Sequence, residues 1–401
     1  MSTIPRKSPL SKTPTPLLPP SARSRKAHLL IPPAGEGSFA LPQCQDCQTF
    51  HWPIPEACGE CLSDRITLAP APKGGTVISA TTAEVPADSY FRALAPWRTG
   101  LIQLDCGPQA LAHLGPDTPA GTKVTLSLVL DRSGQAVLHA SAKGADMSQD
   151  RQWAEMTCAP KDRRILITDA RHIAAPALVK ELLKAGARKI MLGLSEPWKP
   201  FDPTPFEGTE ILALDLRSDR SVQDFARDHG GKVDILINTA EYLRPGNAPT
   251  DAREAMEVQF FGLSRLVRSI GPIMASRGND GLYRAVAWVN LTSVFGQVPH
   301  PRYQAIAPAH AAAMALAPQL RQTLRMGGVR LLTVTTGPTE SPWFDAEPFP
   351  KLAPAAIAKG IVSALTQGLE STTLGDVAKD WLARHAENPR AREAELARGQ
   401  S

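Results

Sequence analysis

Cys44-Gln-Asp-Cys47, ten further residues, then Cys58-Gly-Glu-Cys61: this stretch decides how the rest of the chain reads. Two Cys-x-x-Cys pairs offer four thiolates from two tight turns, the donor set and spacing of a tetrahedral zinc site with Zn–S bonds of about 2.3 Å. Four of the six cysteines fall within these eighteen residues. The alternative, two structural disulfides, needs an oxidising compartment, and the N-terminal residues lack the apolar core of a secretory signal. With Cys44, Cys47, Cys58 and Cys61 all on the metal, no coordination position stays open. The zinc is therefore expected to fold the chain and not to catalyse.

Working outward, 401 residues leave room for two or three domains, and 43% apolar with 21% charged residues is the composition of a soluble globular protein. No run of eighteen or more apolar residues exists, so no membrane-spanning helix is expected. Cys106 and Cys158 stand alone, which fits a reducing cytoplasm. The formal charge of +5 sits in residues 1–36, where Arg6, Lys7, Lys12, Arg23, Arg25 and Lys26 face the single Glu36. A nucleic-acid-binding domain carries its basic excess on a folded face, so this distribution argues against that role. The segment 1–36 also holds eight prolines with Ser and Thr between them and is expected to be disordered.

The ribbon is assigned to 37–66. Residues 67–145 show short alternating runs separated by turn signals: 75–82, 100–105, 109–114, 123–130 and 135–140. Five strands without a helix-length pattern predict a small antiparallel barrel. Tyr90, Phe91 and Trp97, with Arg92 and Arg98 nearby, form the aromatic cluster of this region. It reads as a partner-docking or ligand-lining loop, with internal packing as the plain alternative. It is not repeated on the strands, as a stacking platform for single-stranded nucleic acid would be. The polar, aperiodic residues 146–162 read as a linker.

The double Cys-x-x-Cys, Gly75-Thr-Val77 opening the barrel and Leu104-Asp-Cys-Gly107 together resemble the acyl-CoA-associated zinc-ribbon/OB-fold family. That resemblance implies a partner of the thiolase fold, acting in acyl transfer or in retro-aldol cleavage of acyl-CoA side chains.

From residue 163 apolar strands alternate with amphipathic helices: 164–168, 189–194, 211–215, 233–238, 285–292 and 329–335 as strands, with a helix over 177–185 closed by Gly186. Strands joined by helical crossovers predict a doubly wound parallel sheet covered on both faces. Asp215, Asn238-Thr-Ala240, Asn290-Leu-Thr-Ser293 and Gly337-Pro338 stand where the short-chain dehydrogenase/reductase family keeps motifs, and the domain assigned to 163–401 resembles that family across essentially all of 163–388.

The family's chemistry is missing from these positions. Its phosphate loop reads Thr-Gly-x-x-x-Gly-x-Gly, glycines allowing the backbone to reach the pyrophosphate. Here the loop is Thr168-Asp169-Ala-Arg-His-Ile173-Ala-Ala175. Asp169, Ile173 and Ala175 replace the three glycines. Asp169 adds a carboxylate and reads as a cap for the next helix, while Arg171 offers partial compensation toward a phosphate. The family's serine is kept at Ser293, but Ile306 stands where its tyrosine belongs and His310 where its lysine belongs; Gln259 replaces a relay asparagine. Isoleucine exchanges no proton. Tyr303, one helical turn earlier, is the single rescue candidate.

The sequence therefore predicts a zinc ribbon and OB-type barrel followed by a catalytically degenerate Rossmann domain: no catalytic set, no dinucleotide site, zinc as the cofactor. The expected role is a zinc-containing accessory subunit of a thiolase-like acyl-CoA enzyme, with acyl-CoA a candidate ligand. The helices around 251–275 and 303–325 carry apolar stripes that predict homo-oligomerisation. The competing reading is an NAD(P)-dependent oxidoreductase with a relocated acid/base group.

Overall fold

A computed structural model describes residues 18–244, 248–279 and 284–398. The first 17 residues of the segment expected to be disordered lie outside the described residues. The remainder of that segment is ordered. A 3-10 turn at Lys26–Leu30 runs into helix α1 (Ile31–Glu36), which buries Leu30 and Ala34. Pro32 and Pro33 fall in the first turn of α1, where proline's missing N–H costs nothing, and Gly37 ends it in the left-handed region at φ 75°. The local composition suggested disorder. The apolar ridge finds its partner in the barrel instead.

The ribbon is a two-stranded antiparallel sheet, β1 (Ala40–Cys44) against β2 (Ile66–Pro70). The barrel follows as β3 (Gly74–Ala83), the short helix α2 (Ser89–Ala93), β4 (Trp97–Leu104), β5 (Gln109–Leu114), β6 (Lys123–Leu130) and β7 (Ala136–Ala142). The strands close in the order β3-β4-β5-β7-β6, antiparallel except for the β5–β7 seam. A bulge at Val77/Ser79 bends β3 so that its first half pairs with β6 and its whole length with β4. Alternation along the strands directs Val77, Ile102, Leu104, Leu114, Leu126, Leu130 and Leu138 into one core.

The stretch 146–162 is no loose linker. Helix α3 (Arg151–Ala154) buries Gln152, and Met156 and Cys158 beyond it are buried as well. The two halves meet here through polar groups removed from water. Arg330, 7% exposed, donates to the carbonyls of Leu130 and Asp131 on the barrel side and of Met156 and Gly368 on the other. Arg284 grips Glu155 at 2.8 and 3.0 Å, and the Glu370 N–H donates to the Gly35 carbonyl at 2.8 Å. Buried donors and acceptors of this kind are costly to leave unpaired, so they fix the halves together.

The C-terminal half is a seven-stranded parallel sheet. In chain order its strands are β8 (Arg164–Ile167), β9 (Lys189–Leu194), β10 (Glu210–Ala213), β11 (Ile235–Asn238), β12 (Ala287–Ser293), β13 (Arg330–Thr336) and β14 (Ser371–Leu374), arranged β10-β9-β8-β11-β12-β13-β14. Strands β8, β11 and β12 are buried nearly throughout, as expected of a sheet covered on both faces. The crossovers are α4 (Ala175–Lys184), α5 (Asp219–His229), α6 (Pro249–Ala255) with α7 (Leu263–Ser276), α8 (Ile306–Arg325) and α9 (Pro354–Gln367). Gly186 takes the left-handed conformation at φ 82°, as its place after α4 predicted. A π-helical turn, Met256–Gly262, joins α6 to α7 and carries Gln259. Helices α10 (Asp376–Glu387) and α11 (Pro389–Ala397) close the chain. Among the described residues no helix is long and apolar enough to cross a membrane.

Candidate functional sites: a thiolate cluster and a Rossmann cleft

The two knuckles of the ribbon are copies of one turn. Gln48 and Leu62, each just after the second cysteine of its pair, have φ of 60° and 63°. Each donates its N–H to the carbonyl of the first cysteine, Cys44 or Cys58, at 3.0 Å. The turns bring Cys44 and Cys61 sulfurs to 3.6 Å and Cys47 and Cys58 to 3.5 Å, and all four lie within 4.8 Å of one another. Sulfurs on a tetrahedron around zinc stand about 3.8 Å apart, so this donor set fits the ion. Hydrogen bonds with Thr49 hold the Cys47 thiol down at about 6, while burial and the neighbouring sulfurs outweigh a backbone hydrogen bond at Ser63 and push Cys61 up to about 12. Cys44 and Cys58 are buried, and Cys47 and Cys61 reach the surface.

At the C-terminal ends of β8, β9, β10 and β11 lies a cleft of about 500 Å3, bordered by Asp169, Asp215, Arg217, Glu241, Arg244 and Trp343. It occupies the crevice where doubly wound sheets bind their ligands. Its polar groups are engaged with one another. His172, buried in the loop after β8, accepts the Ala174 N–H on Nδ1 at 3.1 Å and stands 2.9 Å from Glu241 Oε1 through Nε2. Burial opposes its protonation, but the Glu241 hydrogen bond and charge outweigh that and raise its pKa. Asp169 does not cap α4 as expected. Its Oδ1 accepts the Arg171 N–H at 2.9 Å, closing the loop itself, and burial pushes its carboxyl up.

Arg171 is not free to hold a phosphate either. Its guanidinium donates to the carbonyls of Ser195, Glu196, Lys199 and Pro200 and lies 5.5 Å from the Phe201 ring. Ile173 is half-buried, and Ala175 opens α4 with its N–H on the His172 carbonyl. Asp215 pairs with Arg217 through two contacts of 3.1 Å, which outweigh burial and keep its carboxyl below the usual range.

The second group of expected positions is buried, and within it Gln259 Oε1 has no partner among the described residues. Ser293 is buried and its Oγ accepts the Phe295 N–H at 3.3 Å. Ile306, fully buried, begins α8, with Pro308 in the first turn. His310 is 1% exposed; its Nδ1 accepts the Ser293 N–H and its Nε2 lies 3.3 Å from Gln259 Nε2, and burial lowers its pKa. Tyr303, the rescue candidate, is held among neighbouring side chains. Its hydroxyl donates to Glu347 at 2.9 Å, its ring stacks on Phe295 at 4.6 Å, and burial with the Glu347 charge raises its pKa.

The aromatic loop of the barrel also departs from its expected role. Tyr90 and Trp97 are 3% and 4% exposed, so these rings do not form an outer docking face. The Tyr90 hydroxyl donates to Glu155 at 3.1 Å, and the Arg98 side chain is held by Asp150 and the Leu114 carbonyl. Residues 151–156, read as linker, are what covers the cluster.

Comparison with known proteins follows this division. Residues 33–67 match the ChsH2 rubredoxin-like zinc ribbon domain, 69–129 the ChsH2 C-terminal OB-fold domain, and 171–368 the enoyl-(acyl carrier protein) reductase family. A 3-ketodihydrosphingosine reductase of Dictyostelium discoideum is 26% identical over 181 residues, 40% of this chain and 53% of that protein, so the chain spans about half the length of that relative. An uncharacterized oxidoreductase of Staphylococcus epidermidis is 23% identical over 52% of this chain and 92% of its own. A short chain dehydrogenase from Burkholderia cenocepacia J2315, solved in complex with NADP, superposes with a TM-score of 0.52 at 24% identity, covering 59% of this chain and 98% of that one. That likeness concerns the fold. In order along its length, the chain carries a ChsH2-type zinc ribbon, a ChsH2-type OB-fold and a Rossmann domain of the short-chain dehydrogenase type.

Proposed function

We propose that this protein is a zinc-containing, non-catalytic accessory subunit of a thiolase-like enzyme acting on acyl-CoA. One observation carries the reading: the metal site has all its donors converging, while Ile306 and His310 stand at the family's tyrosine and lysine positions and the charged groups of the cleft pair with one another. On this reading Cys44, Cys47, Cys58 and Cys61 hold zinc as a structural ion, and the ribbon and barrel supply the docking module. The ChsH2-type domains support a role in a complex.

The residues of the cleft do not fit a nicotinamide dinucleotide. A pyrophosphate at the start of α4 needs free N–H groups and no nearby anion. Here His172 takes the Ala174 N–H, and the Asp169 and Glu241 carboxylates border the same space. No proton donor stands at Ile306, and Tyr303 is turned to Glu347. The match of 171–368 to a reductase family favours the second reading, an active oxidoreductase, and that reading requires a dinucleotide site.

The faces of the π-helical turn before α7 and of α8 that carry half-exposed Phe261 and exposed Ala311 and Ala315 are the surface proposed to pair with a second copy. Light scattering at tens of micromolar reads this directly, and a monomer contradicts it. For the main reading, the tagged full chain is co-expressed with candidate thiolase-fold proteins from the same source. The expected outcome is a stable complex whose acyl-CoA cleavage or transfer activity exceeds that of the isolated partner. Failure to capture any thiolase-fold protein overturns it.

A further inference from the structure

An apolar pocket of about 460 Å3 lies where the segment 294–304 meets the start of α8 and helix α11. It shares no residue with the Rossmann cleft. Only His300, Gln304 and Glu393 among its bordering residues are polar. Pro299, Pro301 and Pro308 bring no N–H group to the wall. The floor is firmly held. Phe295 stacks on Tyr303 at 4.6 Å and lies 5.9 Å from the Phe344 ring. Gly296 lets this segment close onto α8, since a Cβ there would stand 2.8 Å from His310 Cβ and 3.1 Å from the Ala311 nitrogen. Leu396, buried under α11, brings that helix into the wall.

His300 is the polar group of this wall whose placement is most constrained. Its Nδ1 accepts the Arg302 N–H at 3.3 Å. Its ring lies parallel to that of Trp381, with 4° between the planes and 5.9 Å between the centroids. Burial, together with the Arg302 and Arg392 charges, outweighs Glu347 and lowers its pKa, so the imidazole is neutral at pH 7. A neutral imidazole that accepts at Nδ1 carries its proton on Nε2. Among the described residues that Nε2–H has no acceptor.

These properties select the ligand. No lysine or arginine borders the pocket, so nothing there holds a phosphate or a carboxylate. Glu393 is exposed, and water screens its charge. An apolar body gains from the walls, and a single fixed donor suits a single acceptor on it. A preformed apolar space of this size with few polar groups is the usual make-up of a small-molecule site. We propose that the pocket between 294–304, α8 and α11 binds a neutral, apolar molecule carrying one carbonyl oxygen, which accepts the His300 Nε2–H. The site is separate from the thiolate cluster and does not rest on the function proposed above. Ala311 at its edge also belongs to the surface proposed to pair with a second copy, so that copy is the competing occupant.

The test is equilibrium dialysis of the full chain against benzophenone, a neutral aromatic ketone, and against diphenylmethane, which lacks the oxygen. Benzophenone is expected to bind saturably with a dissociation constant of about 10–100 µM. The substitution His300→Phe keeps an aromatic wall and removes the donor. It is expected to weaken benzophenone about fivefold while changing diphenylmethane by less than about twofold. Irradiation of the parent complex joins the ketone carbon to a neighbouring C–H carbon and is expected to label residues within 295–311 and 393–396. Should His300→Phe fail to fold, the position of that label decides alone. No saturation by benzophenone up to about 0.5 mM, a label outside these residues, or an equal response of both ligands in a folded His300→Phe chain overturns the proposal. Binding that is lost at chain concentrations where light scattering reports a dimer also overturns it, because a second copy then fills the pocket.

Discussion

The thiolate cluster and the Rossmann cleft are both pockets of polar side chains, yet they are built on opposite plans. At the ribbon, four sulfurs lie within 4.8 Å, their principal neighbours being one another, an arrangement that only a cation makes favourable. In the cleft, His172 has Glu241, Arg217 has Asp215, Arg171 has four carbonyls and, below, Tyr303 has Glu347. A site maintained for a ligand leaves groups whose needs the ligand meets. A site released from its ligand lets those groups satisfy each other. On the proposed reading the Rossmann cleft is of the second kind, although the buried Gln259 Oε1 beside it has no partner among the described residues.

The largest expected effect comes from breaking the unmet set. Cys58→Ser removes one of two buried sulfurs, and structural zinc sites are worth about 10 kcal/mol or more of folding free energy in small ribbons. Metal analysis of the parent chain is expected to give about one zinc per chain, and of the variant close to none. Protease cleavage between 44 and 61 in the variant reports the loss of the ribbon. A variant that retains stoichiometric zinc contradicts the four-thiolate assignment.

A smaller but still large effect sharpens the boundary between the regions. Arg330→Met leaves four buried carbonyls, those of Leu130, Asp131, Met156 and Gly368, without their donor. The cost is expected to be about 3–5 kcal/mol in a urea titration, comparable to breaking a buried charged network. The parent is expected to unfold barrel and Rossmann domain together, and Arg330→Met to split the transition in two. Two separate transitions already in the parent contradict a fixed junction.

These contacts also mark what the sequence did and did not disclose. The barrel strands at 109–114 and 123–130 and the sheet strand at 189–194 are legible because alternation or a continuous apolar run is a local signal, and each appears where it was read. The cysteine spacing is local too. Residues 18–36 and 146–162 have the composition of a loop, while their order comes from partners more than a hundred residues away. Ser133 Oγ donates to the Pro19 carbonyl, and the Cys158 thiol donates to the Val286 carbonyl. The cleft was half legible. The absent glycines and the isoleucine at 306 were on the page, but nothing in the spacing of His172 and Glu241 announces that they meet. Arg171 looked like a phosphate ligand because a free guanidinium is one. Its capture by the 195–200 backbone is a purely tertiary event.

A modest, pH-dependent effect tests the self-satisfied cleft. His172 holds its proton more tightly folded than unfolded, because Glu241 outweighs its burial. A raised folded pKa stabilises fully below the unfolded value of about 6.5 and fades as pH rises through the folded value. Glu241→Gln removes the charge behind that shift. It is expected to cost about 1 kcal/mol at pH 5.5 and clearly less at pH 8.5, read from thermal or urea unfolding. A penalty that grows with pH, or none at pH 5.5, means the pair is not what holds the loop.

The smallest expected signal is the most direct trial of the central contrast. The full chain is titrated calorimetrically with NADH and with NADPH at neutral pH. The account predicts no saturable binding tighter than about millimolar for either, since Asp169, Glu241 and the capped start of α4 oppose the pyrophosphate. A micromolar dissociation constant for either nucleotide contradicts it and makes the oxidoreductase reading the better one.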